Sequence, residues 1–270
     1  GLSQGNLSRM EKGILTIPED VASKIALELE YPVSFFYQKT VQTPISSFYY
    51  RKRTNIPKKV LAKLEATMDI YRLMIEELLD SIDIPEPNFP KLRVTGNTSP
   101  ADIARATRNQ MNIPRGPIEN LTKVLEANGI IIVEIVSETN KFDGITLYTD
   151  SGQPIIFINK ELPNDRKRFT IGHELGHLVM HISFDIDPEQ DEDLEANQFS
   201  SEFNMPELDC RNDLGNLRYA QLGVLKSYWK LSKSAIIRRA YDLKMINKQR
   251  YQYLNIELSR RGEKKNETGT

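Results

Sequence analysis

The chain has 270 residues, a formal net charge of −1, 39% hydrophobic and 27% charged residues, and a mean hydropathy of −0.46. That balance suits a water-soluble protein with room for two or three compact units, and no apolar run approaches the length that spans a bilayer. A single cysteine, Cys210, excludes an intrachain disulfide, fits a cytoplasmic location, and reads as a small buried or surface thiol.

The near-zero net charge hides segregation. Residues 51–64 carry six positive side chains and no acid, residues 185–209 ten acids and no base, and residues 218–261 eleven positive side chains against Asp242 and Glu257. Such blocks form solvated helix faces, contact phosphates, or dock on a neighbour of opposite sign.

The start, Gly1-Leu2-Ser3-Gln4, has neither an initiator methionine nor the charged and apolar regions of a signal peptide. Residues 2–10 read as a short helix ended by Gly13. Pro18 opens a second helix to about Leu29, with Val21, Ile25 and Leu29 on one face. Tyr31-Pro32 breaks it, and Val33-Ser34-Phe35-Phe36 follows as an apolar plug. The stretches Leu7-Ser8-Arg9-Met10-Glu11-Lys12-Gly13, Ile25-Ala26-Leu27-Glu28-Leu29 and Pro32-Val33-Ser34-Phe35-Phe36, with the first four residues, resemble the second half of a lambda-repressor-like (XRE-type) helix-turn-helix domain. The resemblance implies that the first helix enters the major groove with Gln4, Asn6, Ser8 and Arg9 facing DNA. In that family two helices precede this one, and neither stands ahead of Gly1. Half a domain cannot bury its own core, so the segment is expected to be truncated or to pack elsewhere, and DNA binding is expected where the domain is complete.

A long amphipathic helix is expected over residues 57–82, with Val60, Leu64, Tyr71, Ile75, Leu78 and Ile82 at three- and four-residue steps, packed as a connector on its neighbours. Pro85, Pro87 and Pro90 then form an extended linker at a domain boundary. Ser99-Pro100-Ala101-Asp102 supplies an N-cap, a first-turn proline and a third-position carboxylate for a helix to about Met111. Another helix spans residues 117–128 and stops at Gly129. Residues 130–136, 145–148 and 154–158 read as a small sheet, the last two joined by the turn Asp150-Ser151-Gly152-Gln153, and Asn164 caps the next helix.

All three histidines lie on that helix, in His173-Glu174-Leu175-Gly176-His177-Leu178-Val179-Met180-His181. His173 and His177 are one turn apart on one face and can reach one metal ion, with Glu174 beside them as a general base. His181 lies eight residues, about 12 Å of helix, from His173 and cannot share that ion with it; it reads as a helix-end residue near the last carbonyls. Catalytic zinc takes three protein ligands and leaves one position open. With no histidine left and Cys210 in a loop-like stretch, the third ligand is expected to be a carboxylate on the next helix, about residues 189–203, where Asp191, Glu192, Asp193 and Glu195 all qualify.

The runs Arg166-Lys167-Arg168-Phe169-Thr170-Ile171-Gly172-His173-Glu174-Leu175-Gly176-His177 and Glu195-Ala196-Asn197-Gln198-Phe199-Ser200-Ser201-Glu202-Phe203-Asn204-Met205-Pro206 resemble the ImmA/IrrE family of zinc metallopeptidases, a likeness extending over about residues 99–251. The family's third ligand is a glutamate four residues before the asparagine. Counting back from Asn197 gives Asp193, one methylene shorter, with Glu192 in reserve. Positions 193, 196, 197 and 200 share a helix face, and Glu195 points away from it. The implied zincin architecture lays an extended substrate along a strand edge, for which residues 155–159 are the candidate unless they form an interior strand.

Three helices are expected after Met205-Pro206, at residues 219–229, 232–243 and 247–260, as a helix-turn-helix-like bundle that closes the peptidase core. The expected fold is thus α+β and mostly helical: a partial helix-turn-helix segment (1–40), a connecting helix and linker (41–95), a zincin-like domain with a small sheet beside the histidine helix (96–209), a helical bundle (210–261) and a disordered tail (262–270). The expected function is a zinc endopeptidase linked to a DNA-binding module, with a protein substrate such as a transcriptional repressor, no membrane partner, and a homodimer admissible. The alternative is an XRE-family regulator whose peptidase-like domain is non-catalytic and serves sensing or dimerisation.

Overall fold

A computed structural model describes residues 3–37, 56–139, 141–185, 187 and 189–263. The expectations for residues 51–55 and for the tail from 264 fall outside this set. Two compact units divide the chain, Gly1–Thr43 and Pro44–Thr270.

The first unit holds α1 (Gln4–Glu11), α2 (Glu19–Glu28) and a 3-10 turn (Val33–Tyr37). Ser3 caps α1 by accepting from the Asn6 backbone N–H. Met10, Ala22 and Ala26 are buried, but Leu27 is 82% and Ile14 63% exposed. Among the described residues of this unit, the two short helices and the turn leave these apolar side chains exposed. Gln4, Asn6 and Arg9 are exposed and Ser8 is half-buried.

The second unit is α+β. Among its described residues the first element is α3 (Lys58–Leu79), followed by α4 (Pro100–Gln110), α5 (Leu121–Ala127), β1 (Ile131–Ile135), β2 (Gly144–Tyr148), β3 (Pro154–Asn159), α6 (Asn164–Met180) and α7 (Glu192–Asn204). The strand order is β1–β3–β2, with β1 parallel and β2 antiparallel to β3. Alternation along β3 assigns its faces. Ile156 and Ile158 join the core formed with Ile103, Leu175, Leu178, Phe199 and Phe203. Ile155 and Phe157 point the other way and pack on Leu64 and Met68 of α3. The expected connector therefore roofs the sheet. The proline-rich stretch after it is also tied down: Phe89 is buried in the main core, and the Leu92 N–H donates to the Val179 carbonyl at 3.1 Å.

Helix starts follow local chemistry. At α4 the Ser99 hydroxyl accepts from Asp102 N at 3.2 Å, while Asp102 Oδ2 accepts from Ser99 N at 2.9 Å. Several boundaries differ from expectation, α3 ending at Leu79 and α7 starting at Glu192 among them, and one helix is additional. Pro163 rather than Asn164 is the cap of α6, with Asn164 its first residue. Asn120 caps α5, which starts four residues later than expected. Residues expected as a loop around Cys210 form α8 (Glu207–Leu214), because Pro206 can initiate a helix as readily as it ends one.

The remaining helices, α9 (Leu222–Trp229) behind a 3-10 turn (Tyr219–Gln221), α10 (Lys233–Asp242) and α11 (Lys248–Arg260), enclose Trp229, Ile236, Ile237, Leu254 and Leu258 together with Cys210 and Leu214 of α8. Ion pairs fasten this bundle to the rest of the unit. Lys226 Nζ lies 2.6 Å from Asp165 Oδ2, with both groups buried, and Arg239 pairs with buried Glu202. Lys230 pairs with Glu119. Three of the eleven positive side chains of residues 218–261 are thereby engaged internally. No helix among the described residues is long and apolar enough to cross a membrane.

Candidate metal centre

From Thr170 to Met180 every residue of α6 is buried, because the helix runs between the sheet on one side and α4 and α7 on the other. A helix enclosed all round carries apolar residues on all faces, and any polar side chain on it needs a partner. Two glycines admit α7. A Cβ on Gly172 would lie 2.5 Å from Asn204 Nδ2 and 2.6 Å from Ser200 Oγ. A Cβ on Gly176 would lie 3.2 Å from the Ala196 Cα. Close approach at these two points sets the first turn of α7 over the histidines.

His173 and His177 present their Nε2 atoms 3.0 Å apart. Asp193 Oδ1 stands 3.7 Å from the first and 3.6 Å from the second. The point equidistant from these three atoms is about 2.0 Å from each, the length of zinc–imidazole and zinc–carboxylate bonds. Proton placement leads to the same fit. The amide oxygen of Asn197 lies 3.1 Å from His173 Nδ1 and can only accept, so His173 carries its proton on Nδ1 and leaves Nε2 as a donor toward that point. The imidazole side chains are 10% and 4% exposed and that of Asp193 is 49% exposed. The donor triangle is walled by protein behind the histidines and opens beside the carboxylate, as a site with a vacant ligand position requires.

Burial lowers the His177 pKa to about 4, reinforced by His173 and His181 and opposed by Asp193. The ring is therefore neutral at physiological pH, the form that ligates. Glu174 is 5% exposed. The Thr146 hydroxyl on β2 lies 3.2 Å from both its carbonyl oxygen and its Oε2, which fixes the carboxylate between α6 and the sheet.

His173, His177, Glu174 and Asp193 are thus brought together. The other acidic candidates are used differently. Asp191 caps α7 by accepting from Leu194 N. Glu192 approaches His177 and His181, and Glu195 Oε2 lies 3.0 Å from His181 Nε2. His181 ends α6 as its C-cap, as expected, but its ring turns to His177 rather than to the last carbonyls, its Nδ1 lying 2.9 Å from His177 Nδ1. The i, i+4 spacing puts His177 and His181 on one helix face, a relation as local as that between His173 and His177. Thr146 and Asn197 were not foreseen in these contacts, because no local pattern announces a partner from another element. Residues 155–159 are corrected as a substrate edge: β3 is central, flanked on both sides, and the outer strand beside Glu174 is β2.

A separate cleft of about 800 Å3 is lined by Asp165, Arg168 and Ile171 of α6 with Lys226 and Lys230, and by none of the histidines. Its Lys226 and Lys230 are engaged with Asp165 and Glu119.

Residues 129–241 match the model of the M78 peptidase family, described as the IrrE N-terminal-like domain. This stretch runs from the start of β1 into α10 and contains the whole donor cluster. No curated protein matches the chain.

Proposed function

We propose that the second unit is a zinc endopeptidase that cleaves a regulatory protein such as a transcriptional repressor, and that the first unit is a DNA-binding module contacting its operator through Gln4, Asn6, Ser8 and Arg9. The observation that carries the peptidase reading is the convergence of His173 Nε2, His177 Nε2 and Asp193 Oδ1 around one point. Imidazole and carboxylate donors at that spacing suit zinc, and the M78 match supports a peptidase over other metal chemistry.

When bound, zinc lowers the pKa of water and polarises a carbonyl. Glu174, held at Oε2 by Thr146, accepts the proton of the attacking water and returns it to the leaving amine. An extended peptide would pair with the outer edge of β2, whose Thr146 touches Glu174, and so bring its scissile bond to the open side of the site. The internal pairing of Lys226, Lys230 and Arg239 supports a closing role for the C-terminal bundle over a second DNA contact.

Metal analysis and a cleavage assay together test this reading. The purified chain should carry about one zinc, less in His177→Ala. Cleavage of a candidate repressor should vanish in Glu174→Gln while zinc remains. A repressor left intact by zinc-loaded wild type overturns the peptidase reading and favours the regulator with a non-catalytic sensing or dimerising domain.

A further inference from the structure

We propose that His181 and Glu195 form a positioning pair that sets the tautomer of His177 and thereby turns its Nε2 into a metal donor. The inference rests on reading His173, His177 and Asp193 as ligands.

His181 is 1% exposed, too deep for its ring nitrogens to be satisfied by solvent. Its Nε2 lies 3.0 Å from Glu195 Oε2, and its Nδ1 lies 2.9 Å from His177 Nδ1. A carboxylate oxygen only accepts, so His181 holds its proton on Nε2 and offers a lone pair at Nδ1. His177 then donates from Nδ1 and leaves a lone pair on Nε2, the atom beside His173 and Asp193, against the pull of Asp193 for a proton on that same nitrogen. The chain of bonds has one direction, and Glu195 sets it. Gln190 Nε2 donates to the same Glu195 oxygen at 2.6 Å and holds the carboxylate in place.

Both ligating imidazoles are thus oriented from α7, by different lengths of wire. Asn197 reaches His173 directly. His177 is one turn further along α6, and His181 bridges the gap to Glu195. Partners of this kind hold ring orientation and raise donor strength, and their loss weakens metal binding by about tenfold to a hundredfold.

Ring protonation can be read in metal-free protein labelled with 15N-histidine, where the chain's three histidines give three resolvable rings. In wild type, long-range proton–nitrogen correlations should show His177 protonated on Nδ1. In Glu195→Gln and in His181→Phe the population should move toward Nε2 protonation. Zinc affinity, measured by competition with a chromophoric chelator, should fall about tenfold to a hundredfold in both, with partial recovery in Glu195→Asp. Glu195 is half-buried, so its variants remain informative if the buried His181→Phe does not fold. An unchanged His177 tautomer in Glu195→Gln, or an unchanged zinc affinity, overturns the proposal. His177→Ala and Asp193→Ala separate the two ideas. If neither affects zinc uptake, the ligand reading fails, whereas the tautomer shift still decides whether the pair acts on His177.

Discussion

Replacing Gly172 with alanine tests the close approach that assembles the site. In an open helix position alanine stabilises by roughly 0.5–1 kcal/mol over glycine, because it loses less backbone entropy. At position 172 the new Cβ would meet Asn204 Nδ2 at 2.5 Å and Ser200 Oγ at 2.6 Å, about 1 Å inside ordinary van der Waals separation. Neither neighbour can step aside cheaply. Ser200 Oγ donates to the Phe169 carbonyl at 2.7 Å, and Asn204 Nδ2 donates to the Ser200 carbonyl at 3.0 Å. Breaking a buried bond costs about 1–3 kcal/mol, and moving α7 outward incurs a similar overpacking cost of about 1–3 kcal/mol. Net of the helix gain, Gly172→Ala should destabilise by about 1–2 kcal/mol. Because Asp193 rides on α7, zinc affinity should fall as well. Urea unfolding of metal-free protein measures the first effect. Gly223→Ala is the control: it lies on α9 of the same unit, and nothing stands within 4 Å of its added Cβ. If Gly172→Ala is as stable as wild type, or gains what Gly223→Ala gains, the two helices do not meet as described.

Lys226→Met leaves Asp165 buried without its 2.6 Å partner and should cost about 3–5 kcal/mol. The double variant Lys226→Met/Asp165→Leu should recover most of that loss in urea titrations, and no recovery would mean that the pair is not the seam between α6 and the bundle. In metal-free protein, His177 titrates near 4 against 6.5 when unfolded. The unfolded chain binds the extra proton between those values, so stability is intact above about pH 6.5 and is lost as pH falls toward 4, by about 3 kcal/mol in all. Comparing urea midpoints at pH 7 and 4.5 checks this, and a His177→Phe variant with the same pH slope as wild type would contradict it. Burial pushes the Cys210 thiol up to about 11, so a thiol reagent at pH 8 should label it only on unfolding; prompt labelling of native protein would place it elsewhere.

Regular elements were legible because their causes are local. The Ser99–Asp102 capping box and the turn at Asp150-Ser151-Gly152-Gln153 are short-range patterns that appear within a few residues of their expected places. So does α3, although its packed face runs through Val60, Leu64, Met68 and Ile75 and leaves the expected Tyr71, Leu78 and Ile82 exposed. The same locality explains α8, which was overlooked: Pro206 is a stop signal and a start signal at once. For the site, helical geometry alone puts His173, Glu174 and His177 together.

What the sequence determined by itself is therefore the periodicity of each segment and the chemistry one helix can assemble within two turns. Residue types alone left four carboxylates within five residues as candidates; the family resemblance pointed to Asp193, and only the tertiary structure seats α7 so that this side chain meets the histidines. The packing of Gly172 and Gly176 against Ser200 and Ala196 seats it. That choice turns Asp193 to the donor triangle and Glu195 to His181. It also placed β3 at the centre of the sheet, because hydrogen bonding between strands distant in sequence depends on contacts that no local pattern encodes.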